Sequence, residues 1–295
     1  MIILNKNKPR GLIWLASYPR SGNTWTRAFI HALVNVLRDP DYGDLDINAI
    51  EAFSAAESAA ELYQPLLGKP AFRASQAEIA AVRPRVQADI VARLRRPVFI
   101  KTHNANAVDH GHPLINMGVS AGAVYILRNP LDVAISFARF RDVDIDRVIE
   151  DMATPGFGVA TDRKNVHVIT GSWSEHVRSW TDQSHPVILV VRYEDLHDKP
   201  AESFAAIARH LLMQATPEQL DKAIALTRFD NLQSKEAADG FAERSESAVN
   251  PFFRVGRPGQ WRDVLSDQQV DRVVSAHGAT MRRFGYLPDQ QDAAA

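Results

Sequence analysis

Gly11-Leu-Ile-Trp-Leu-Ala-Ser-Tyr-Pro-Arg-Ser-Gly-Asn-Thr-Trp-Thr-Arg-Ala-Phe29 is the stretch from which the rest of the chain can be read. Leu12 to Ala16 is apolar without polar alternation, the pattern of a strand buried on both faces. Ser17 to Asn23 collects Ser, Pro, Gly and Asn, the residues of a tight loop. From Thr24 onward the apolar positions Trp25, Phe29, Leu33 and Leu37 recur every fourth residue. A helix therefore runs on toward Arg38, with Asn23 or Thr24 placed to cap it. Such a strand, loop and helix start aim unpaired backbone N–H groups at one point, which the helix dipole makes favourable for phosphate or sulfate. Arg20 adds charge, and Ser21, Thr24 and Thr26 add hydroxyl donors. No G-x-x-x-x-G-K-[ST] can be written across the stretch, so it is not a Walker A loop. Shape alone would also suit an ordinary strand-to-helix turn with a surface arginine, because many α/β loops bind nothing.

Outward from this unit, strands and helices alternate. Asp46 to Tyr63 has a helical pattern, and Ser75 to Arg96 reads as a helix interrupted near Pro84. Together they form an insertion that either shapes a pocket or simply covers the sheet. Pro97 to His103 is a second strand running into a loop, and Ala123 to Arg128 a third. Pro130 opens a helix carrying Val133, Ile135, Phe137 and Phe140. Asp151 to Val168 reads as a mobile loop. Gly171 to Trp180 is helical, with Trp173 and Trp180 as core residues. Pro186 to Val191 is the fourth and most apolar strand. Helices follow at Ala201 to Leu212 and Pro217 to Leu226, then a lid or loop at Gln233 to Pro251 and a last helix at Asp267 to Phe284. The expected fold is α/β: a single domain, 1–295, with a mainly parallel central sheet flanked by helices. Residues 1–10 and 288–295 are expected to be loosely ordered tails. Ligands of such sheets sit at the C-terminal ends of the strands.

The 295 residues are 45% hydrophobic, enough for a sizeable core, and the net charge is −1. No overall basic field is present, so neither nucleic acid nor membrane is an expected partner, and any anion must be captured by local arginines. With no cysteine, disulfides, thiolate metal sites and thiol catalysis are excluded. The apolar run at the N-terminus is too short for a signal peptide, and no apolar stretch reaches the roughly 20 residues of a membrane helix. A cytoplasmic protein is expected. Asp109-His-Gly-His112 has no third ligand at a set spacing, and no metal site is assigned to it. Arg93, Arg95 and Arg96 read as a solvated helix end.

Three further clusters can carry chemistry. Lys101 and His103 share one side of the second strand at the sheet's ligand edge. There a histidine can take a proton and a lysine can stabilise charge on a transferring group. The plainer alternative is a satisfied histidine at a strand end. Arg128 and Ser136 converge on the start of the following helix and suit a second phosphate; a pairing of Arg128 with Asp132 is the competing reading. Phe253 to Trp261 joins Arg254 and Arg257 to two glycines, which permit close backbone approach to an anion. A basic surface turn would look alike.

These stretches, in this order, resemble the sulfotransferases that use 3′-phosphoadenosine 5′-phosphosulfate (PAPS), of the cytosolic type and in a bacterial branch. Tyr18 to Trp25 is similar to the family's 5′-phosphosulfate loop. Tyr125 to Ser136 is similar to its 3′-phosphate motif, and Lys101-Thr-His103 to the segment bearing its catalytic histidine. Gly171-Ser-Trp173, Arg192 to Leu196 and Arg254-Val-Gly256 with Gly259 and Trp261 complete the likeness, which covers residues 11 to 285 apart from the inserted helices at 40–96 and the loop at 150–168. The resemblance implies His103 as general base, with Lys101 and Arg20 as catalytic cations. It implies Arg20, Ser21, Gly22, Asn23, Thr24 and Trp25 at the 5′ end, with Trp25 near the adenine. Arg128, Ser136, Arg254 and Gly256 would hold the 3′-phosphate, and Thr227 and Phe229 would flank the adenine. Arg20 stands where many members have lysine, Gln260 where aspartate is usual, and Val255 where lysine is usual; that last change either weakens the grip on the 3′-phosphate or hands it to Arg257. The implied reaction moves a sulfuryl group to a hydroxyl or amine of a small-molecule, glycoside or peptide acceptor, releasing adenosine 3′,5′-bisphosphate (PAP), without a metal. A homodimer is left open. A non-catalytic nucleotide-binding regulator on the same fold and a phosphotransferase with a variant loop are the alternatives. His103 argues against the first, and the missing Walker lysine against the second.

Overall fold

The computed structural model describes residues 11–93, 97–244 and 251–288. The expected tails up to residue 10 and beyond Pro288, Arg95 and Arg96, and positions 245–250 of the expected lid lie outside the described residues. In chain order, β1 (Leu12–Ser17) leads to α1 (Asn23–Arg38), followed by α2 (Ala49–Phe53), α3 (Ala60–Leu67) and α4 (Gln76–Arg93). Next come β2 (Val98–Thr102), a small ribbon of β3 (Val108–Asp109) and β4 (His112–Pro113), β5 (Ser120–Leu127), α5 (Pro130–Arg141) and α6 (Ile145–Ala153). A second ribbon, β6 (Gly158–Val159) and β7 (Val168–Ile169), precedes α7 (Trp173–Thr181), β8 (Ile188–Arg192) and α8 (Tyr193–Asp198). The chain closes with α9 (Pro200–His210), α10 (Pro217–Leu226), α11 (Phe229–Asp239), α12 (Trp261–Val264) and α13 (Asp267–Arg283).

The central sheet has the order β2-β1-β5-β8, with every neighbouring pair parallel. β1 and β5 are central and buried at every residue, which is why their sequences lack alternation. Their side chains nonetheless alternate between two cores. Ile13, Leu15, Val124 and Ile126 pack toward Phe29, Leu33, Phe204 and Ile207 from α1 and α9. Leu12, Trp14, Tyr125 and Leu127 pack toward Leu131, Val148, Trp173 and Trp180 from α5, α6 and α7. Each buried aliphatic or aromatic side chain contributes roughly 1.5–3 kcal/mol. The most apolar strand by sequence, β8, is a sheet edge rather than a centre, with Val190 exposed on it. Among the described residues, no helix is long and apolar enough to cross a membrane.

Three local expectations change. The helix expected over Asp46 to Tyr63 is broken between α2 and α3, because Lys101 N–H donates to the Ala55 carbonyl at 3.0 Å and Glu57 N–H to the Lys101 carbonyl at 2.8 Å. Residues 55–57 thereby cover the free edge of β2. α4 runs straight through Pro84, whose carbonyl accepts a 2.9 Å bond from Asn116 Nδ2; buried Arg83 and Gln87 on the same helix hold it against its neighbours. The loop expected at 151–168 contains the end of α6 and one strand of the β6–β7 ribbon.

Candidate functional site

The first turn of α1 has no side-chain cap. Asn23 is the first helical residue, and Gly22 occupies the cap position with φ 100°. Instead of capping, Asn23 donates through Nδ2 to the Leu15 carbonyl at 2.8 Å, which stitches the loop to β1. The N-terminal backbone groups are thus left for something outside the helix. A side chain at position 22 is impossible without a shift, because a Cβ there would lie 2.5 Å from the Tyr193 ring. Tyr193, at the start of α8, is the hub that sequence reasoning did not single out. Its ring packs on Gly22 and Trp25, carries the Arg128 guanidinium 4.3 Å above it, and its hydroxyl donates to the Gly256 carbonyl.

A cavity of about 440 Å³ opens at the C-terminal ends of β1, β2 and β5, within the usual size of a small-molecule site. Of the residues expected to form the site, Arg20, Gly22, Asn23, Thr24, Trp25, Lys101, His103, Arg128, Ser136, Phe229, Arg254 and Gly256 line it. Three do not. Ser21 sits just behind the wall, buried, with its Oγ lacking a protein partner. Thr227 is fully buried, and its carbonyl accepts the Trp25 Nε1 proton at 2.7 Å, so it positions Trp25 from beneath. Arg257 points into solvent and meets Asp263 at 3.3 Å, so it does not supply the cation that Val255 lacks.

The Arg128–Asp132 pairing weighed from sequence does not form. Asp132 instead accepts backbone N–H bonds from Gly259 at 2.7 Å and Trp261 at 3.1 Å, tying α5 to the C-terminal loop. Arg128 donates to the Arg20 carbonyl at 3.0 Å, and its buried Nε has no protein acceptor. The Arg20 guanidinium donates to Ser136 Oγ at 3.2 Å and lies between the Phe140 and Phe252 rings, 4.8 and 4.3 Å from their centroids. Arg20 and Ser136, expected at opposite phosphates, are therefore in direct contact. Burial, and then the charge of Arg128, push the Arg20 pKa down to about 10. Two crowded cations and an orphaned donor make this wall one that an anion would stabilise.

His103 is held by a definite tautomer. Its Nδ1 lies 2.8 Å from the Ser17 carbonyl, which only accepts, so Nδ1 carries the proton and Nε2 keeps its lone pair. Behind it, His176 Nε2 donates to the His103 carbonyl at 3.2 Å, and Tyr125 Oη meets His176 Nδ1 at 2.9 Å. Burial, and then the Lys101 charge, lower the His103 pKa to about 3. Lys101 meets Glu243 at 3.1 Å, and Glu243 also binds fully buried Arg27 at 2.5 Å. Burial would raise the Glu243 pKa, but those two cations outweigh it and hold it at about 2. Glu243 comes from the segment read as a lid, and nothing local in its sequence marks it. Phe137, Phe140, Phe157, Val159, Val166 and Val168 also line the cavity, as do Ala56 to Ser58 of the insertion.

The model of the sulfotransferase domain family matches residues 11–285. Sulfotransferase 1B1 of the dog, Canis lupus familiaris, is 26% identical over 271 residues, which cover 90% of this chain and 81% of the relative. Sulfotransferase 1B1 of Mus musculus is 25% identical over 278 residues, or 92% and 83% of the two chains. Among solved structures, mouse sulfotransferase SULT7A1 complexed with PAP has a TM-score of 0.61 at 22% identity, covering 92% of this chain and 84% of its own. Retinol dehydratase in a complex with retinol and PAP gives 0.63 at 20% identity, with coverage of 94% and 83%. These likenesses establish the α/β sulfotransferase fold. Because the family model spans nearly all of it, the chain belongs to the sulfotransferase domain family, and its enzyme class is that of the sulfotransferases.

Proposed function

We propose that this chain transfers the sulfuryl group of PAPS to the hydroxyl of a small acceptor with an apolar body, using His103 as general base. The observation that carries the reading is the free Nε2 of His103 on the same cavity wall as Lys101 and the uncapped start of α1. The fit to a doubly phosphorylated nucleotide rests on the orphaned Arg128 Nε and on the uncapped N-terminus of α1, whose first residues line the cavity. Gly22, Asn23 and Thr24 would hold its 5′ end, Arg128, Ser136 and Arg254 its 3′-phosphate, and Trp25 and Phe229 its adenine. When bound, the donor supplies an activated sulfuryl group on a phosphate leaving group.

The chain's own residues do the rest. His103 Nε2 accepts the acceptor's proton as its oxygen attacks in line, and Lys101 offsets charge on the departing oxygens, while Arg20, bonded to Ser136, adds its charge on the 3′-phosphate side. The Phe157, Val159 and Val168 ribbon supports a small apolar alcohol over a glycoside or a peptide, because it offers few polar partners to either. PAP is expected to raise the melting midpoint by several degrees, whereas ATP with magnesium leaves it nearly unchanged. Stabilisation by ATP with magnesium alone would sink the reading; turnover of labelled PAPS across an acceptor panel then identifies the acceptor.

A pH dependence follows from the His103 shift. The base works when neutral, so a lowered pKa extends activity toward acid. The profile of kcat/KM, which reports the free enzyme, should stay level as pH falls through 6.5 and drop only near 4 or below. The kcat profile should fall at a higher pH, because an anion beside Lys101 offsets the charge that depresses His103. An inflection near 6.5 in kcat/KM that disappears in His103→Gln would contradict this.

A further inference from the structure

One cation on the cavity wall has no task in the reading above. Arg139 lies three residues beyond Ser136 on α5, so the two share a helix face, and both line the cavity together with Arg254, Val255 and Gln260. Its neighbour Arg141 is engaged elsewhere, at 2.5 Å from Asp151. No carboxylate among the described residues pairs with Arg139; its NH1 only approaches Gln260 Oε1 at 3.5 Å, at the limit of a hydrogen bond. The segment opposite is anchored. Gln233 Nε2 donates to the Arg254 carbonyl at 2.7 Å, and Asp132 on α5 holds Gly259 and Trp261. Arg254 on this anchored loop and Arg139 on α5 therefore line one cavity, and Val255 beside Arg254 brings no charge to it. Partial burial, and then the charge of Arg254, lower the Arg139 pKa. Two like charges lining one cavity, close enough for one to lower the other's pKa, are relieved by an anion that touches both.

We infer that Arg139 is a third cation for the phosphate held by Arg128, Ser136 and Arg254, and that it sets the preference for adenosine nucleotides bearing a 3′-phosphate. The inference rests on the donor reading above. Calorimetry with PAP and with AMP tests it on the wild type, Arg139→Ala and the double variant Arg139→Ala with Val255→Lys. The single substitution should weaken PAP about tenfold while AMP affinity changes less than about twofold. Because Val255 lines the same wall, lysine there should recover much of the lost PAP affinity. Unchanged PAP affinity in Arg139→Ala, equal losses for both nucleotides, or no recovery in the double variant overturns the assignment. Wild-type protein that binds PAP and AMP equally overturns the donor reading, and this assignment with it.

Discussion

His103→Gln is expected to lower sulfuryl transfer by about two orders of magnitude or more, while PAP affinity stays within about twofold. Glutamine can keep a hydrogen bond to the Ser17 carbonyl, so the strand end should hold its shape, but it offers no group that accepts a proton at neutral pH. The tautomer makes the assignment specific: only Nε2 carries a lone pair, and His103 lines the cavity. A base at about pKa 3 is weak for chemistry near neutrality, and burial and Lys101 are the causes, in that order. The second cause is reversible. An anion placed against Lys101 would return part of the imidazole's basicity, so on the proposed reading His103 is a stronger base with the donor bound than without it. Single-turnover rates with saturating PAPS measure this directly. Wild-type rates in a folded His103→Gln protein would remove His103 from the role.

The parts of this molecule that could be read from sequence are those whose signals are local. β1, α1, β2, β5 and α5 were expected near their observed places because burial on two faces and a four-residue repeat are written in consecutive residues. Residues 54–59 have a helical sequence pattern but not a helical fold, because residues 55 and 57 pair with Lys101, more than forty positions away, and pairing with a strand edge overrides alanine's helix propensity. Pro84 predicts a break that does not occur for the same reason, since the neighbours that hold α4 together lie outside it. In the site, motif residues could be named from spacing, whereas Glu243, Tyr193 and Arg139 could not. Glu243 finds Arg27 across 216 positions, and its loop carries no pattern that predicts an inward carboxylate. Arg139 had a weak signal, its three-residue offset from Ser136, which marks a shared helix face without saying what that face meets.

Glu57→Ala is expected to reduce the free energy of unfolding by about 3–5 kcal/mol, the largest stability effect of a single substitution near the site. Glu57 is fully buried, and one carboxylate receives Arg83 NH1 at 3.0 and 2.9 Å, Gln87 Nε2 at 3.1 Å, Asn104 Nδ2 at 2.9 Å and the Tyr63 hydroxyl. Arg83 is equally buried and cannot shed its proton, so removing Glu57 leaves a full charge without its counter-ion. The exposed Lys69–Glu78 pair is the contrast: solvent already screens it, and Glu78→Ala should barely move the denaturation midpoint. Pairing Glu57→Met with Arg83→Met should recover much of the stability, because the unpaired charge goes with the carboxylate. Activity should not return in proportion, since Asn104, next to His103, loses its anchor on Glu57 in both variants. Urea unfolding and turnover measured on the same three proteins separate the two effects. A Glu57→Ala protein within about 1 kcal/mol of wild type would mean that water or a rearranged partner reaches Arg83, and the insertion would then be a cover on the sheet with no part in holding His103.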